Sequence, residues 1–258
     1  MTINFSKYHS TGNDFVILDN RNDIIKKKNK KTIRSICQRR FGVGSDGLIL
    51  LQNHKDVDFE MLYFNADGAL STLSGNGARC VVSYAKELGI IDNECKFIAA
   101  DGEHTAIING KVVKLKLCDV NEIEEDGDYF VLNTGSPNYV TIHTHLDKID
   151  VSIVGKQIRN NERFKKEGIN VNFVEIQYDN KLFVRTYERG VENETLSCGT
   201  GIVASAIAVA VELDDGTDFE IATRGGNLNV SFERNGDTFS NIWLEGPVIK
   251  VYEGQIKL

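Results

Sequence analysis

Short apolar segments alternate with turn-forming residues along most of the chain, and this pattern predicts a strand-rich fold. The apolar runs are rich in Val, Ile, Phe and Tyr and are bounded by Asn, Asp and Gly, as expected for strands. Turns are predicted at Asn109-Gly110, Asp179-Asn180 and Asn235-Gly236. The predicted strands are Asn13–Leu18, Gly47–Gln52, Asp58–Phe64, Cys95–Ala100, Thr105–Ile108, Lys111–Leu117, Tyr129–Leu132, Tyr139–His145, Val171–Gln177, Lys181–Tyr187, Asp218–Thr223, Leu228–Glu233 and Asn241–Leu244.

Three segments carry apolar residues at helical spacing instead. Asn29–Arg40 is polar and lysine-rich at its start, so we expect a solvated surface helix. Ala78–Leu88 is a second helical pattern. Ile202–Leu213 is apolar on almost every side, which is typical of a helix buried in the middle of a domain.

The second and third helical patterns start alike, which indicates an internal duplication. One follows Ser74-Gly75-Asn76-Gly77 and the other follows Cys198-Gly199-Thr200-Gly201. Cys198 comes 124 residues after Ser74, nearly half of the 258-residue chain. The repeat predicts two similar domains, each with a central helix wrapped by strands, and a cleft between them.

Composition narrows the class of protein. Hydrophobic residues make up 41% of the chain, enough for a sizeable core. The net charge of −7 argues against a general nucleic-acid surface. No apolar run has the length of a membrane span, and the N-terminus lacks the order of a secretory signal. We therefore expect a cytoplasmic protein without nucleic-acid or membrane partners.

The cysteines predict neither disulfides nor a metal site. There are five, widely spaced, and none forms a Cys-x-x-Cys pair. His143 and His145 lie two apart in a predicted strand and share a face, but two neutral surface histidines are the favoured interpretation. We expect no metal.

A cysteine at a helix start has two interpretations. The unpaired N–H groups and partial positive charge there can hold a carboxylate and favour a thiolate, which would place a base beside a bound acid. A buried cysteine is otherwise a small hydrophobic residue, and Gly-x-Gly before a helix is common in loops. Spacing alone leaves both open for Cys198.

Longer blocks carry a family resemblance along the whole chain, in the correct order. The chain resembles the diaminopimelate epimerase family, and the blocks that match it are Ser10-Thr11-Gly12-Asn13-Asp14-Phe15, Arg40-Phe41-Gly42-Val43-Gly44-Ser45-Asp46-Gly47, Phe64-Asn65-Ala66-Asp67-Gly68 with Gly75-Asn76-Gly77-Ala78-Arg79-Cys80, Asn133-Thr134-Gly135-Ser136-Pro137, Tyr187-Glu188-Arg189-Gly190 with Glu194-Thr195-Leu196-Ser197-Cys198-Gly199-Thr200-Gly201, and Gly225-Gly226 with Gly246-Pro247.

The resemblance implies an α+β fold of two pseudo-symmetric domains, each a mixed β-barrel around a central helix. We expect the domains at residues 1–124 and 125–258, with the last strand free to return to the first. It implies an isomerase that needs no cofactor and inverts the α-carbon of a small anionic amino acid, with LL- and meso-diaminopimelate as leading substrates. In that family two cysteines face the carbon from opposite sides, and the carboxylate lies between the two helix ends. A homodimer is left open.

The resemblance also assigns roles to single residues. Cys198 matches one family base and Glu188 its acidic partner. The substrate-holding positions are Asn13, Asn65, Asn170 and Arg189, and the backbone amide cradle is Gly75, Asn76, Gly199 and Thr200. A guanidinium such as that of Arg189 suits bidentate capture of a distal carboxylate.

Two positions depart from the family pattern. The other family cysteine is Ser74, and the histidine expected after Pro137 is Asn138. A serine hydroxyl without a neighbouring base is not usefully ionised near neutral pH, and Asn138 cannot accept a proton as histidine would. We expect Ser74 and Asn138 to act as polar positioning groups in the catalytic site.

The replacement of both the cysteine and the histidine leaves three hypotheses for the function. One is an epimerase that works despite the change, and the second is a one-base isomerase or dehydratase that uses Cys198 alone. The third is an amino-acid-binding protein without turnover. An engineered exchange would explain Ser74 but not Asn138.

Overall fold

The computed structural model describes residues 2–178 and 180–257, so the turn predicted at Asp179-Asn180 lies partly outside the described residues. The chain divides into two units, Met1–Leu115 with Gly246–Leu258, and Lys116–Glu245. Residues just after 115 group with the second unit because their backbone pairs there: Leu117 N donates to Ile242 O over 2.9 Å. The expected domain boundary after residue 124 stays a prediction.

Among the described residues, the first unit holds eight strands and two helices. Its strands are β1 (Thr2–Ser10), β2 (Asn13–Asp19), β3 (Gly47–Gln52), β4 (Phe59–Asn65), β5 (Glu94–Ala99), β6 (Gly102–Asn109), β7 (Val112–Lys116) and β17 (Ile249–Lys257), and its helices are α1 (Lys30–Cys37) and α2 (Gly75–Glu87).

The described part of the second unit holds nine strands, two α-helices and a 3-10 turn. Its strands are β8 (Ile123–Asp126), β9 (Tyr129–Asn133), β10 (Pro137–Ile142), β11 (Asn170–Tyr178), β12 (Lys181–Glu188), β13 (Asn193–Thr195), β14 (Asp218–Thr223), β15 (Gly226–Asn235) and β16 (Thr238–Pro247), and its helices are α3 (Val151–Arg159), α4 (Gly199–Glu212) and the 3-10 turn Leu146–Lys148.

The two units share one connectivity. The strands of the first pair in the order β17-β1-β2-β3-β4-β5-β6-β7, and those of the second in the order β8-β9-β10-β11-β12-β14-β15-β16. In each unit only the third and fifth of these pairings are parallel. Parallel neighbours need a crossover, and the crossovers are α1 and α2 in the first unit and α3 and α4 in the second.

The central helices are enclosed in equivalent ways, which confirms the predicted fold class. Helix α2 contacts β1, β2, β3, β4 and β6, and α4 contacts the matching strands β9, β10, β11, β12 and β15. Helix α4 is built from Ala, Val and Ile because strands cover it on nearly every side. No helix in the described part of the chain is long and apolar enough to span a membrane.

Several elements differ from the predictions. Helix α3 was not predicted, since β-branched residues and Gly155 obscure its pattern. It forms because Asp150 caps it by accepting from Ile153 N over 3.0 Å. A Cβ added at Gly155 would lie 2.4 Å from the Tyr187 Cβ, so a larger residue could not pack there. The strand predicted up to His145 ends at Ile142.

The sequence pattern also predicted the helix bounds imprecisely and did not predict four of the strands. Helices α2 and α4 begin at Gly75 and Gly199, so each Gly-x-Gly forms the first turn of its helix. The predicted helix Asn29–Arg40 is shorter, with Asn29 as its N-cap. Strands β1, β8, β13 and β17 were not predicted, because their sequences carry many charged and polar residues.

Candidate active site

Cys198 occupies the N-cap of α4, directly before its first turn. Its backbone is extended, with φ −121° and ψ 111°, and only 7% of the residue is exposed. Its Sγ lies 3.7 Å from Thr200 Oγ1. Gly201 allows the helix to approach β11 closely, because an added Cβ would lie 2.1 Å from Asn172 Oδ1. The fold therefore holds a buried thiol at the positive end of a helix dipole.

The pKa of the Cys198 thiol is raised to about 12. Burial is the largest cause, and the negative charge of Glu188 adds to it. The backbone of Gly201 and Thr200 and the Thr200 hydroxyl favour the thiolate, but they do not outweigh burial. This raised pKa favours the protonated thiol near neutral pH. Cys198 can give a proton directly, and it becomes a base once its own proton has moved away.

Glu188 and Arg189 lie where β12 ends. Glu188 is half-buried and stands opposite Asn193 of β13. The guanidinium of Arg189 is exposed, and it donates to Ser136 Oγ over 3.2 Å and to the backbone oxygen of Glu167 over 3.3 Å. No carboxylate among the described residues forms an ion pair with it. The guanidinium is therefore available to an acidic ligand.

Asn138 is locked inside the second unit and is completely buried. Its Nδ2 donates to Thr134 Oγ1 (3.2 Å) and Ser136 O (2.7 Å), and its Oδ1 accepts from Asn170 Nδ2 (3.2 Å) and Asn172 Nδ2 (3.1 Å). An asparagine side chain has two donor hydrogens and one oxygen with two lone pairs, so these four bonds use its whole capacity. Asn138 therefore orients Asn170 and Asn172, and its expected role as a polar positioning group in the catalytic site stays a prediction.

Asn170 links the hydrogen bonds of Asn138 to Arg189, the predicted substrate-holding residue at the end of β12. Its Oδ1 accepts from the backbone N of Arg189 over 2.9 Å, and its Nδ2 also approaches Ser136 Oγ at 3.4 Å. The register of the parallel pair β10 and β11 places Asn170 beside Asn138. Asn170 therefore fixes the backbone from which the Arg189 side chain extends.

Ser74 has the same place in the first unit that Cys198 has in the second. It is the N-cap of α2, its backbone is also extended, with φ −103° and ψ 118°, and Gly75 begins the helix. Its Oγ accepts a hydrogen bond from Gly77 N over 3.2 Å. The Ser74 hydroxyl thus caps its own helix, which is a common structural role of serine.

Asn76 and Asn13 are brought together at the same helix end. Asn76 Nδ2 donates to Asn13 Oδ1 over 3.2 Å, and Asn13 Nδ2 donates to Asp46 Oδ2 over 2.8 Å. Asn65, at the end of β4, is exposed, and its carbonyl accepts from Gly68 N over 2.9 Å. No described hydrogen bond joins the Asn65 side chain to the other two.

Two residues that contribute to these sites, Ser136 and Arg79, were not predicted from the sequence. Ser136 receives both Arg189 and Asn170, but serine in a Gly-Ser-Pro loop carries no distinctive signal. Arg79 is wholly buried and donates to Asn76 Oδ1. A charged residue between Ala78 and Cys80 in an apolar helix pattern was a signal that could have found it.

The remaining cysteines and histidines lie elsewhere. All five cysteines are free, and Cys37, Cys80 and Cys95 are buried packing residues. Cys118 is exposed. Among residues 2–178 and 180–257, no group of three His, Cys, Asp or Glu side chains could hold a metal ion.

The fold and this site define a class: pseudo-symmetric α+β proteins of two helix-centred units, with a thiol beside a carboxylate at a helix start. The family model described as diaminopimelate epimerase matches residues 5–117 and 130–251. The chain therefore belongs to the diaminopimelate epimerase family and is an isomerase, as its sequence blocks predicted.

Known proteins similar to the chain agree with this assignment. A diaminopimelate epimerase of Flavobacterium psychrophilum is 46% identical, with 97% of this chain and 98% of that protein covered. One of Aquifex aeolicus is 37% identical, with 98% and 97% covered. Among solved structures, a Bacillus anthracis phenazine biosynthesis protein of the PhzF family has a TM-score of 0.77 at 14% identity, with all of both chains covered. A hydroxyproline epimerase from Agrobacterium vitis has a TM-score of 0.70 at 13% identity, with 100% of this chain and 93% of that one covered. These two structural likenesses concern the fold alone.

Proposed function

We propose that this protein moves the α-proton of a small anionic amino acid, and that LL- and meso-diaminopimelate are its leading substrates. The full-length similarity to proteins named diaminopimelate epimerase supports the substrate. The observation that carries the proposal is Cys198, a buried thiol at the N-cap of α4 whose pKa responds to the charge of Glu188. A group of this kind can exchange a proton with a carbon acid held at the helix end.

Cys198 and Glu188 act as one proton-carrying pair in this proposal. When water on the opposite face takes the α-proton, the Cys198 thiol gives its proton to the resulting carbanion, and the Glu188 carboxylate passes a proton from water to the Cys198 thiolate. In the reverse direction, Glu188 takes the thiol proton and the sulfur then removes the α-proton. The charge that develops on the substrate carboxylate is stabilised by the N–H groups of Gly199 and Thr200.

Arg189 supplies the specificity for a second carboxylate. Its guanidinium is exposed and has no acidic partner among the described residues, while Asn170 fixes its backbone and Ser136 Oγ receives one of its donors. The planar donors of a guanidinium pair well with a carboxylate. Diaminopimelate has such a distal group, whereas alanine does not.

A one-base reaction is the second candidate, and two observations favour it. The Asn138 side chain has no unused hydrogen-bonding capacity, and the Ser74 hydroxyl caps α2. Neither side chain is placed as a proton-transfer base. A protein with one active face would exchange the α-proton with retention, or eliminate water from a β-hydroxy amino acid to give an imine, which water hydrolyses to a keto acid and ammonia.

Incubation with LL- and meso-diaminopimelate in D2O, followed by proton NMR and chiral analysis, separates these candidates. Deuterium with inversion supports the epimerase, and deuterium with retention supports the one-base reaction. Absence of exchange on both isomers would contradict the proposed substrate. Cys198→Ala should abolish exchange, and Cys118→Ala, which removes an exposed thiol, should leave it unchanged. Normal exchange by Cys198→Ala would refute the role of Cys198.

The role of Arg189 has its own test. Arg189→Gln should raise KM for diaminopimelate by about 10- to 100-fold, the range expected when charge-assisted bonds to a carboxylate are lost. Arg34→Gln, the same change at an exposed arginine of α1, is the matched control. An unchanged KM would show that the distal carboxylate binds elsewhere.

The proposal also includes a cytoplasmic location and a homodimer. Five free cysteines suit a reducing compartment, which supports a cytoplasmic protein. A homodimer is supported by exposed apolar side chains on β17, namely Ile249, Val251 and Tyr252. Light scattering of the protein and of Val251→Glu would test it, since a dimer through this strand should dissociate in the variant.

A further inference from the structure

Arg79 is a guanidinium enclosed entirely by protein in the second turn of α2, with none of its surface exposed. Its Nη2 donates to Asn76 Oδ1 (2.5 Å) and Ser10 Oγ (2.9 Å), and its Nε donates to Ser10 Oγ (3.1 Å). Its Nη1 is buried and has no hydrogen-bond partner among the described residues. The guanidinium of Arg79 therefore has more N–H donors than there are hydrogen-bond acceptors around it.

No carboxylate of the described residues pairs with Arg79. Burial lowers its pKa to about 10, and the guanidinium still remains charged near neutral pH. An unpaired charge inside a protein is costly, and replacing buried charges with apolar side chains often stabilises a fold. A stabilising role is therefore a poor explanation for this residue, and a functional one is favoured.

The guanidinium lies towards the start of its helix. Side chains on an α-helix lean towards the N-terminus, and the contact with Asn76, three residues earlier, shows that Arg79 does so. Helix α2 begins at Gly75, so the charge lies next to the first turn. It has the same sign as the partial charge of the helix N-terminus and adds to it.

Arg79 also fixes the orientation of Asn76. The Asn76 oxygen accepts from the guanidinium, and Thr11 Oγ1 lies 3.5 Å from the same atom. The amide nitrogen is thereby turned to Asn13, whose own Nδ2 is held by Asp46. If the Asn76 amide were rotated, its oxygen would no longer accept from the guanidinium, and its NH2 group would face the donors of the cation. The hydrogen bonds therefore select one orientation of the Asn76 side chain.

We propose that Arg79 is a positioning residue that adds a buried positive charge to the N-terminus of α2 and holds Asn76 there, so that this helix end binds a carboxylate more strongly. The identity of that carboxylate as the substrate's rests on the proposed function. Arg79 itself acts through the helix end and through Asn76.

A thiol introduced by Ser74→Cys measures the charge at this helix end without any substrate. Its alkylation by iodoacetamide is followed against pH, by mass spectrometry of the modified peptide, with and without Arg79→Met. Removing the cation should raise the pKa of the introduced thiol by about one unit, so that alkylation near neutral pH falls about tenfold. The exposed Cys118 in the same samples should react equally in both proteins. An unchanged pKa of the introduced thiol would overturn the proposal.

Kinetics in the natural Ser74 background provide the second test. Arg79→Met should keep or raise Tm, because an apolar side chain replaces an isolated charge, while kcat/KM for α-proton exchange falls at least about tenfold. Arg79→Lys, which keeps the charge, should recover most of the loss. Arg79→Gln replaces the Met variant if the latter does not fold. Parallel loss of Tm and activity without rescue by Lys would mean a structural role only and contradict the proposal. Because the thiol measurement needs no substrate, it still decides the role of Arg79 if diaminopimelate proves to be the wrong substrate.

Discussion

Asn170 donates from its Nδ2 to Asn138 Oδ1 over 3.2 Å, and its Oδ1 accepts from the backbone N of Arg189, so one side chain links Asn138 to Arg189. The same Asn138 oxygen also accepts from Asn172. A histidine at residue 138 would have to break into this arrangement. Asn138 is thus an integral part of the hydrogen bonding of the second unit.

Asn138→His alone should destabilise the protein. The larger ring cannot make the four bonds of the amide, and the donors of Asn170 and Asn172 would lose their acceptor, at a cost of about 1–3 kcal/mol. Urea unfolding of the variant and the parent measures the difference. A variant as stable as the parent would show that this buried group can be replaced freely.

Restoring the family pair has a different expected result. Ser74→Cys with Asn138→His should raise epimerisation of diaminopimelate, because both groups of the second base that the family resemblance implies are then present. The rate of inversion in D2O for the double variant and each single variant measures the coupling. If inversion by the double variant fell or stayed absent, the interpretation of a lost base pair would be wrong.

Alkylation of Cys198 should depend steeply on pH. Because its pKa is raised to about 12, its thiolate fraction grows about tenfold per pH unit from about pH 7 to about pH 10, without a plateau. Iodoacetamide labelling of the peptide containing Cys198 measures this. A plateau near neutral pH would mean that the helix end stabilises the thiolate more than burial and Glu188 oppose it.

Asp14 should contribute stability that is lost in acid. Its burial acts to raise the pKa, but hydrogen bonds and charges from Arg39 and Lys7 outweigh it and hold the pKa of Asp14 well below its usual range. A depressed pKa gives stability that is present above the unfolded value near about pH 4 and is lost as the pH falls through the folded value. The Tm difference between the parent and Asp14→Asn should therefore shrink as the pH is lowered below about 4. A constant difference would contradict this linkage.

Gly155→Ala should destabilise the packing of α3. The added Cβ would lie 2.4 Å from the Tyr187 Cβ, so helix and strand must separate, which typically costs about 1–3 kcal/mol. Lys156→Ala, one residue further along the same helix and exposed, should change stability by less than about 0.5 kcal/mol. Equal unfolding midpoints for the two variants would show that α3 can shift without cost.

Much of the fold followed from local sequence pattern. The repeated Gly-x-Gly before an apolar helix predicted two similar helix-centred units, because a helix that is apolar on every side must be covered by strands. Helix α3 escaped prediction, since its β-branched residues favour strands and only its contact with Tyr187 explains Gly155. Strands β1 and β17, rich in polar residues, are defined by their pairing with each other along most of their length.

The sequence by itself determined the family, because membership depends on residue identity in ordered blocks. It also predicted the roles of Cys198 and Glu188 and the departures from the family pattern at Ser74 and Asn138, and these stay predictions. Only the tertiary structure decided the protonation of Cys198, since burial and a neighbouring charge act through space rather than along the chain. It alone placed Asn138 in a saturated hydrogen-bond network and Arg79 behind Asn76. Such contacts join residues that are distant in sequence, and they exist only once strands and helices have packed.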